Sequence, residues 1–169
     1  NLFRNKGKVF MSKNSLVSIG LPLYNEEINI DNLIPSILNQ KYENFEIIII
    51  NNGSTDNTIK KLEPYIQNDS RLRLINVSKN RGSSWSFKHL VSEAKGKYFA
   101  WIAGDMQLHP DFLKRLVKEL DRDKTLVTAY SYVNLIGFSI VTRSDKFSLM
   151  HESSIERIKT LYLNLGLGT

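Results

Sequence analysis

Residues 45–56 read Phe-Glu-Ile-Ile-Ile-Ile-Asn-Asn-Gly-Ser-Thr-Asp. An apolar run rich in β-branched side chains passes into a polar turn with Asn-Gly at its centre. The isoleucines at 47–50 do not alternate with polar residues, so a strand here has no solvent face. A strand of that kind belongs to a parallel sheet covered by helices on both sides. The spacing after the turn predicts a helix over Asp56–Gln67, which Pro64 shortens.

The same strand, turn and helix unit recurs on either side. Leu16–Leu21 reads as a strand. Glu26–Gln40 reads as a helix, with Ile30, Leu33, Ile34, Ile37 and Leu38 on one face and Pro35 set to kink it or split off its first turn. Leu72–Val77 is a third strand, and Ser83–Ala94 a third helix that Gly96 terminates. Tyr98–Ile102 is a fourth strand, Pro110–Leu120 a helix opened by proline, and Leu126–Val133 a fifth strand. Ser153–Leu163 is helix-like. This alternation predicts βαβ units with right-handed crossovers: a three-layer α/β/α sandwich around a mostly parallel sheet. The expected organisation is a basic arm at 1–14, a domain at 15–134, and the start of a further region at 135–169 that is cut short.

Composition narrows the function. The chain has 169 residues, no cysteine and three histidines, so disulfide scaffolds, cysteine-bound zinc and thiol nucleophiles are out. Net charge is +6, but Arg4, Lys6, Lys8 and Lys13 stand in an arm without acids, leaving 19 of the 23 basic groups against 17 acids. A nearly balanced body argues against a nucleic-acid face. The arm suits contact with an anionic membrane surface. No stretch approaches the ~18 apolar residues of a membrane helix.

Ligands of parallel α/β sheets bind at the carboxyl ends of the strands. Four loops are therefore informative: 22–26, 51–57, 78–82 and 103–110. None carries the glycine pattern of a dinucleotide-binding fold or a P-loop.

The strings VSIGLPLYNEE (17–27), FEIIIINNGSTDNT (45–58), NRGSSWSFKHLVSEAKGKYFAW (80–101) and GDMQLHPDFLKRLVKEL (104–120) occur in that order. In sequence and spacing they resemble family 2 glycosyltransferases, inverting enzymes of the GT-A fold that use nucleotide-diphosphate sugars. The resemblance implies that Pro22, Tyr24 and Glu26 lie at the nucleobase, with the Tyr24 ring able to stack on it. It implies base contact by Asn52, and a phosphate near Gly82 at the start of the third helix. Gly104 and Asp105 stand in the family's Asp-x-Asp motif, whose last acid binds Mn²⁺ or Mg²⁺. Asp105 is the implied metal ligand, with phosphate and water completing the shell.

The chain departs from the pattern at four places. Asn51 and Asn52 replace acids, Phe87 stands where many members carry arginine, and Ala103 replaces the first acid of the metal motif. Lys88 is the cation available to replace the arginine. Gly53 and Asp56 read as turn and cap residues, Trp85 as core, and His109 as a helix-entry residue. The general base of an inverting transfer is expected beyond residue 169. Asp145, His151 and Glu152 are the only candidates for that base nearby, and each reads as surface.

The implied function is transfer of a sugar, from a UDP-sugar first, to a glycan or lipid-linked acceptor. The setting is the cytoplasm or the inner face of a membrane, in envelope polysaccharide synthesis. The alternative is a binding module of the same fold that holds a sugar nucleotide or a partner without turnover.

Overall fold

A computed structural model describes residues 15–129. The chain divides into two units, residues 1–118 and 119–169. In the first unit the order is β1 (Val17–Leu23), α1 (Ile30–Leu38), β2 (Phe45–Asn52), α2 (Thr58–Asn68), β3 (Leu72–Val77), α3 (Ser83–Glu93), β4 (Tyr98–Trp101) and the first part of α4 (Phe112–Arg122). The strands form one sheet in the order β3-β2-β1-β4, every pair parallel. It is the predicted α/β/α layering.

The isoleucine run explains the layers. Ile47 and Ile49 enter one apolar core with α1, Leu62 of α2, and Leu113 and Val117 of α4. Ile48 and Ile50 enter a second core with Leu90 of α3. All four isoleucines are fully buried, each worth about 1.5–3 kcal/mol of transfer free energy. In β1 the division is sharper. Val17, Ile19, Leu21 and Leu23 fill the first core, while Ser18 and Gly20 face α3. A Cβ on Gly20 would stand 2.6 Å from Phe99 Cζ and 3.3 Å from Leu90 Cβ, so a larger residue would displace the Phe99 ring and crowd Leu90 of α3.

Pro22 sits inside β1 without breaking the sheet. Ile102 N–H donates to Gly20 O, so the even-numbered residues of β1 turn their backbone polar groups towards β4. The ladder with β4 ends at Gly20–Trp101. The donor that Pro22 lacks would therefore have had no strand partner.

Several boundaries differ from those predicted. Glu26–Asn29 form a turn closed by the Asn29 N–H bond to Glu26 O (2.9 Å), with the N–H groups of Glu26 and Glu27 held by Thr58 Oγ1 (2.8 Å) and Asp56 Oδ2 (3.0 Å). The α1 helix then runs through Pro35. Pro64 lies within α2 but does not shorten it; the helix reaches Asn68, and the carbonyl the proline leaves unpaired belongs to exposed Lys60. Gly96 is not the terminator of α3, whose C-cap is Ala94 in an extended conformation. Its Cβ would lie 2.5 Å from Ser18 N, so glycine is required there by close approach to β1. Residues 126–129 are not strand. The rest of that predicted strand, the basic arm and Ser153–Leu163 lie outside the described residues.

One buried side chain ties α1 to the start of α4. Gln40 donates through Nε2 to His109 O (2.8 Å) and Ser36 O (3.2 Å), and its Oε1 accepts from Leu113 N–H (3.0 Å). A similar-sized apolar side chain would leave a buried donor and acceptor unpaired. Gln40→Leu is expected to cost about 1–3 kcal/mol, read as a lower urea midpoint; an unchanged midpoint would contradict this role.

Candidate functional site

The four loops that follow the strands meet at the carboxyl edge of the sheet. The first two are laced together. Asn25, at φ 56°, accepts from Thr55 N–H through Oδ1 (2.8 Å), and its own N–H donates to Ser54 Oγ (3.0 Å). Asn29 caps no helix with its side chain; its Nδ2 donates instead to Glu26 Oε2 (2.7 Å). Glu27 reaches across to accept from Asn57 N–H (2.7 Å). Left-handed backbone of this kind suits Asn. Tyr24 projects from this assembly and is 46% exposed.

The second loop is fastened to the third. Gly53, at φ 75°, abuts it so closely that a Cβ would stand 2.7 Å from Asn80 N. Asn52 is buried and accepts from Arg81 N–H (2.9 Å), while its Nδ2 donates to Asn80 Oδ1 (3.1 Å) and Gly82 O (3.3 Å). Asn51 is buried as well and bonds Asn76 Oδ1 (2.8 Å). Gly82, at φ 83°, opens α3.

The fourth loop meets the first at Gly104. A Cβ there would overlap Glu26, at 2.4 Å from Cδ and 2.7 Å from Oε1, so the absent side chain is what admits the Glu26 carboxylate. Asp105 follows, exposed and without an ion pair among the described residues. No group of three or more His, Cys, Asp or Glu side chains forms a metal cage among the described residues.

Pro22, Tyr24, Glu26, Asn52, Gly82, Gly104 and Asp105 are thus gathered at one edge. Lys88 is not. Ser86 and Leu90 are the buried positions of α3, and a residue midway between them on a helix points to the opposite side. Phe87 packs edge-on against Trp101 at 5.8 Å, and Trp101 against Phe99 at 5.0 Å. Trp85 is half-buried, joins the second core, stacks on His89 at 4.8 Å and carries the Arg81 guanidinium 4.4 Å above its ring. His109 is at the entry to α4, where its carbonyl accepts from Phe112 N–H. Sequence reasoning missed the Glu26–Gly104 packing, which joins separate loops, and the Arg81–Trp85 stack, for which the i, i+4 spacing at the start of α3 was the available signal.

The family model for Glycosyl transferase family 2 matches residues 18–166. The chain belongs to that family. It is 38% identical over 121 residues to an uncharacterized glycosyltransferase of Haemophilus influenzae, covering 72% of this chain and 38% of that protein. It is 37% identical over 116 residues to chondroitin synthase of Pasteurella multocida, covering 69% of this chain and 12% of that protein. The family 2 chain therefore spans well under half of the length of these relatives. Among solved structures, the mannosyltransferase PcManGT of Pyrobaculum calidifontis, in complex with GDP-Man and Mn²⁺, aligns with a TM-score of 0.60 at 23% identity, over 64% of this chain and 33% of its own. S. aureus TarS in complex with UDP aligns at 0.58 and 24% identity, over 63% and 32%. These likenesses establish the fold, which is GT-A.

Asp56 holds the family 2 domain's first two loops in register. Burial alone would push its carboxyl up, but hydrogen bonds from the Thr58 hydroxyl (2.6 Å) and N–H (3.0 Å) and from Glu27 N–H outweigh that and hold it below its ordinary value of 3.8. A folded-state value below the unfolded one stabilises the protein above the unfolded pKa and stops doing so as pH falls through the folded value. Asp56→Ala is expected to cost about 1–2 kcal/mol at pH 7. In urea titrations that difference should narrow below pH 3.8; a gap independent of pH would show that the charge is not what matters.

Proposed function

We propose that this domain binds the donor of a glycosyl transfer: a nucleotide-diphosphate sugar, with UDP-sugar the first choice. The sugar passes to an acceptor hydroxyl with inversion, assisted by a divalent metal. The observation that carries this reading is the meeting of exposed Tyr24, the close Glu26–Gly104 contact and exposed Asp105 at the carboxyl edge of a parallel sheet.

Each part has a physical role. The Tyr24 ring offers a face for the base. Pro22 and Glu26 frame the first loop, and the start of α3 at Gly82 offers free N–H groups to phosphate. Asp105 suits Mn²⁺ or Mg²⁺, because its carboxylate is exposed and has no cation partner among the described residues. With no cage of three ligating side chains there, phosphate and water must supply the remaining ligands. A cation held there would stabilise charge on the leaving diphosphate. Lys88 could approach phosphate only by reaching round from the outer side of α3. We assign the general base to sequence outside the described residues.

Relatives named chondroitin synthase and hyaluronan synthase support a glycan acceptor and polysaccharide or envelope synthesis. A sugar-nucleotide donor supports a cytoplasmic setting, with the basic arm towards the inner membrane face. No helix among the described residues is long and apolar enough to cross a membrane. A second reading, a domain that holds a sugar nucleotide without turnover, is favoured by Ala103 and Phe87 at positions of charge loss. Transfer assays on a longer chain separate the two.

Calorimetric titration with UDP, GDP, CDP and dTDP, with and without Mn²⁺, tests the donor site. UDP with Mn²⁺ is expected to bind tightest. Asp105→Asn should remove the gain from Mn²⁺ while leaving the fold intact; full retention of that gain would sink the metal assignment. Tyr24→Ala should weaken every nucleotide by about 1–3 kcal/mol, and unchanged affinities would return Tyr24 to a packing role.

A further inference from the structure

Asn52 holds the position from which the resemblance implies base reading, yet its hydrogen-bonding atoms are already committed. A side-chain amide has two N–H donors and one oxygen with two acceptor sites. Both donors of Asn52 go to the third loop, at Asn80 Oδ1 (3.1 Å) and Gly82 O (3.3 Å). Its oxygen takes Arg81 N–H (2.9 Å). The residue is 5% exposed. No N–H is left to give to a base, and one oxygen lone pair remains.

The loop so held governs two further features. Gly82 begins α3 and sets the direction of its first N–H groups. Arg81 lies over Trp85 at 4.4 Å, so its guanidinium follows its backbone. Asn80 closes the circuit, because its Oδ1 also accepts Gly82 N–H (2.8 Å). An aspartate at 52 could keep the Arg81 bond. It would then face two acceptors, Asn80 Oδ1 and Gly82 O, with no proton to offer. If Asn80 turned its amide round to help, Gly82 N–H would lose its partner. The asparagines at 52 and 80 thus act as a pair.

We propose that Asn52 is a positioning residue: it fixes the Asn80–Gly82 loop, and with it Arg81 and the start of α3, for the sugar nucleotide, and does not itself discriminate between bases. This rests on the donor-site reading above. The test measures the affinity of the full chain for UDP, GDP, CDP and dTDP in the wild type, Asn52→Asp, Asn52→Ala and Asn80→Ala, with circular dichroism to show that each variant is folded. A positioning role predicts weakening by about tenfold, by the same factor for all four nucleotides and in all three variants. A changed rank order among the bases in the Asn52 variants, or unchanged affinities, would overturn it. Trp85 emission, read in a Trp101→Phe background without nucleotide, reports the loop independently. Asn52→Asp should shift it as Arg81 leaves the ring, and an unshifted emission would break the proposed link. If the wild type bound none of the four, the donor-site reading would fail first and visibly, and the role proposed for Asn52 would fall with it.

Discussion

The burial of β2 on both faces is the constraint on which the rest of the structure depends. Four successive isoleucines leave no side of the strand for water. Helices must cover both faces, and parallel neighbours must return by crossovers. Every strand then ends at the same edge, which gathers loops that are far apart in sequence. The site is a consequence of that arrangement. Tyr24, Asn52, Gly82 and Asp105 are neighbours at one edge only because β1, β2 and β4 run in the same direction and α3 follows the next strand in the same sense.

The loops are then locked by small residues and short polar side chains. Glycine at 53 and 104 lets one loop lie directly on another, where a Cβ would stand under 3 Å from its neighbour. Asn25, Asn52, Asp56 and Asn80 supply hydrogen bonds to backbone N–H groups that no strand or helix satisfies. Such a framework holds the loops against one another without an apolar core of its own. It leaves exposed only Tyr24 and Asp105 among the residues that the resemblance assigns to ligand, apart from Gly82 and the displaced Lys88.

The four departures from the family pattern take on different meanings in three dimensions. Asn51 and Asn52 are buried and satisfied inside the protein, so their loss of charge removes a desolvation cost as well as a ligand group. Phe87 exchanges a cation for an edge-on contact with Trp101. Ala103 is exposed at the end of β4 and has acquired no compensating partner there. The two asparagines and Phe87 take part in hydrogen bonds and packing; Ala103 only lacks a carboxylate.

Much of this was legible in the chain itself. The period and burial demand of residues 45–50, the turn chemistry of 51–57 and the strand–helix alternation determined the layers, the parallel sheet and the edge at which a ligand would sit. Local physics suffices for those, because a side chain's alternation along a strand depends on neighbours in sequence. The family strings pointed to Tyr24 and Asp105. Three things were beyond that reach: the start of α1, the demand for glycine at 96, and the use of Asn52. The chain enters α1 through a turn whose Glu26 and Glu27 N–H groups are held by side chains at the start of α2. Gly96 serves the backbone of β1, and Asn52 serves residues 80–82. Each depends on atoms brought together only by the crossover connections, so tertiary structure alone decided which hydrogen bonds and which close approaches those residues would make.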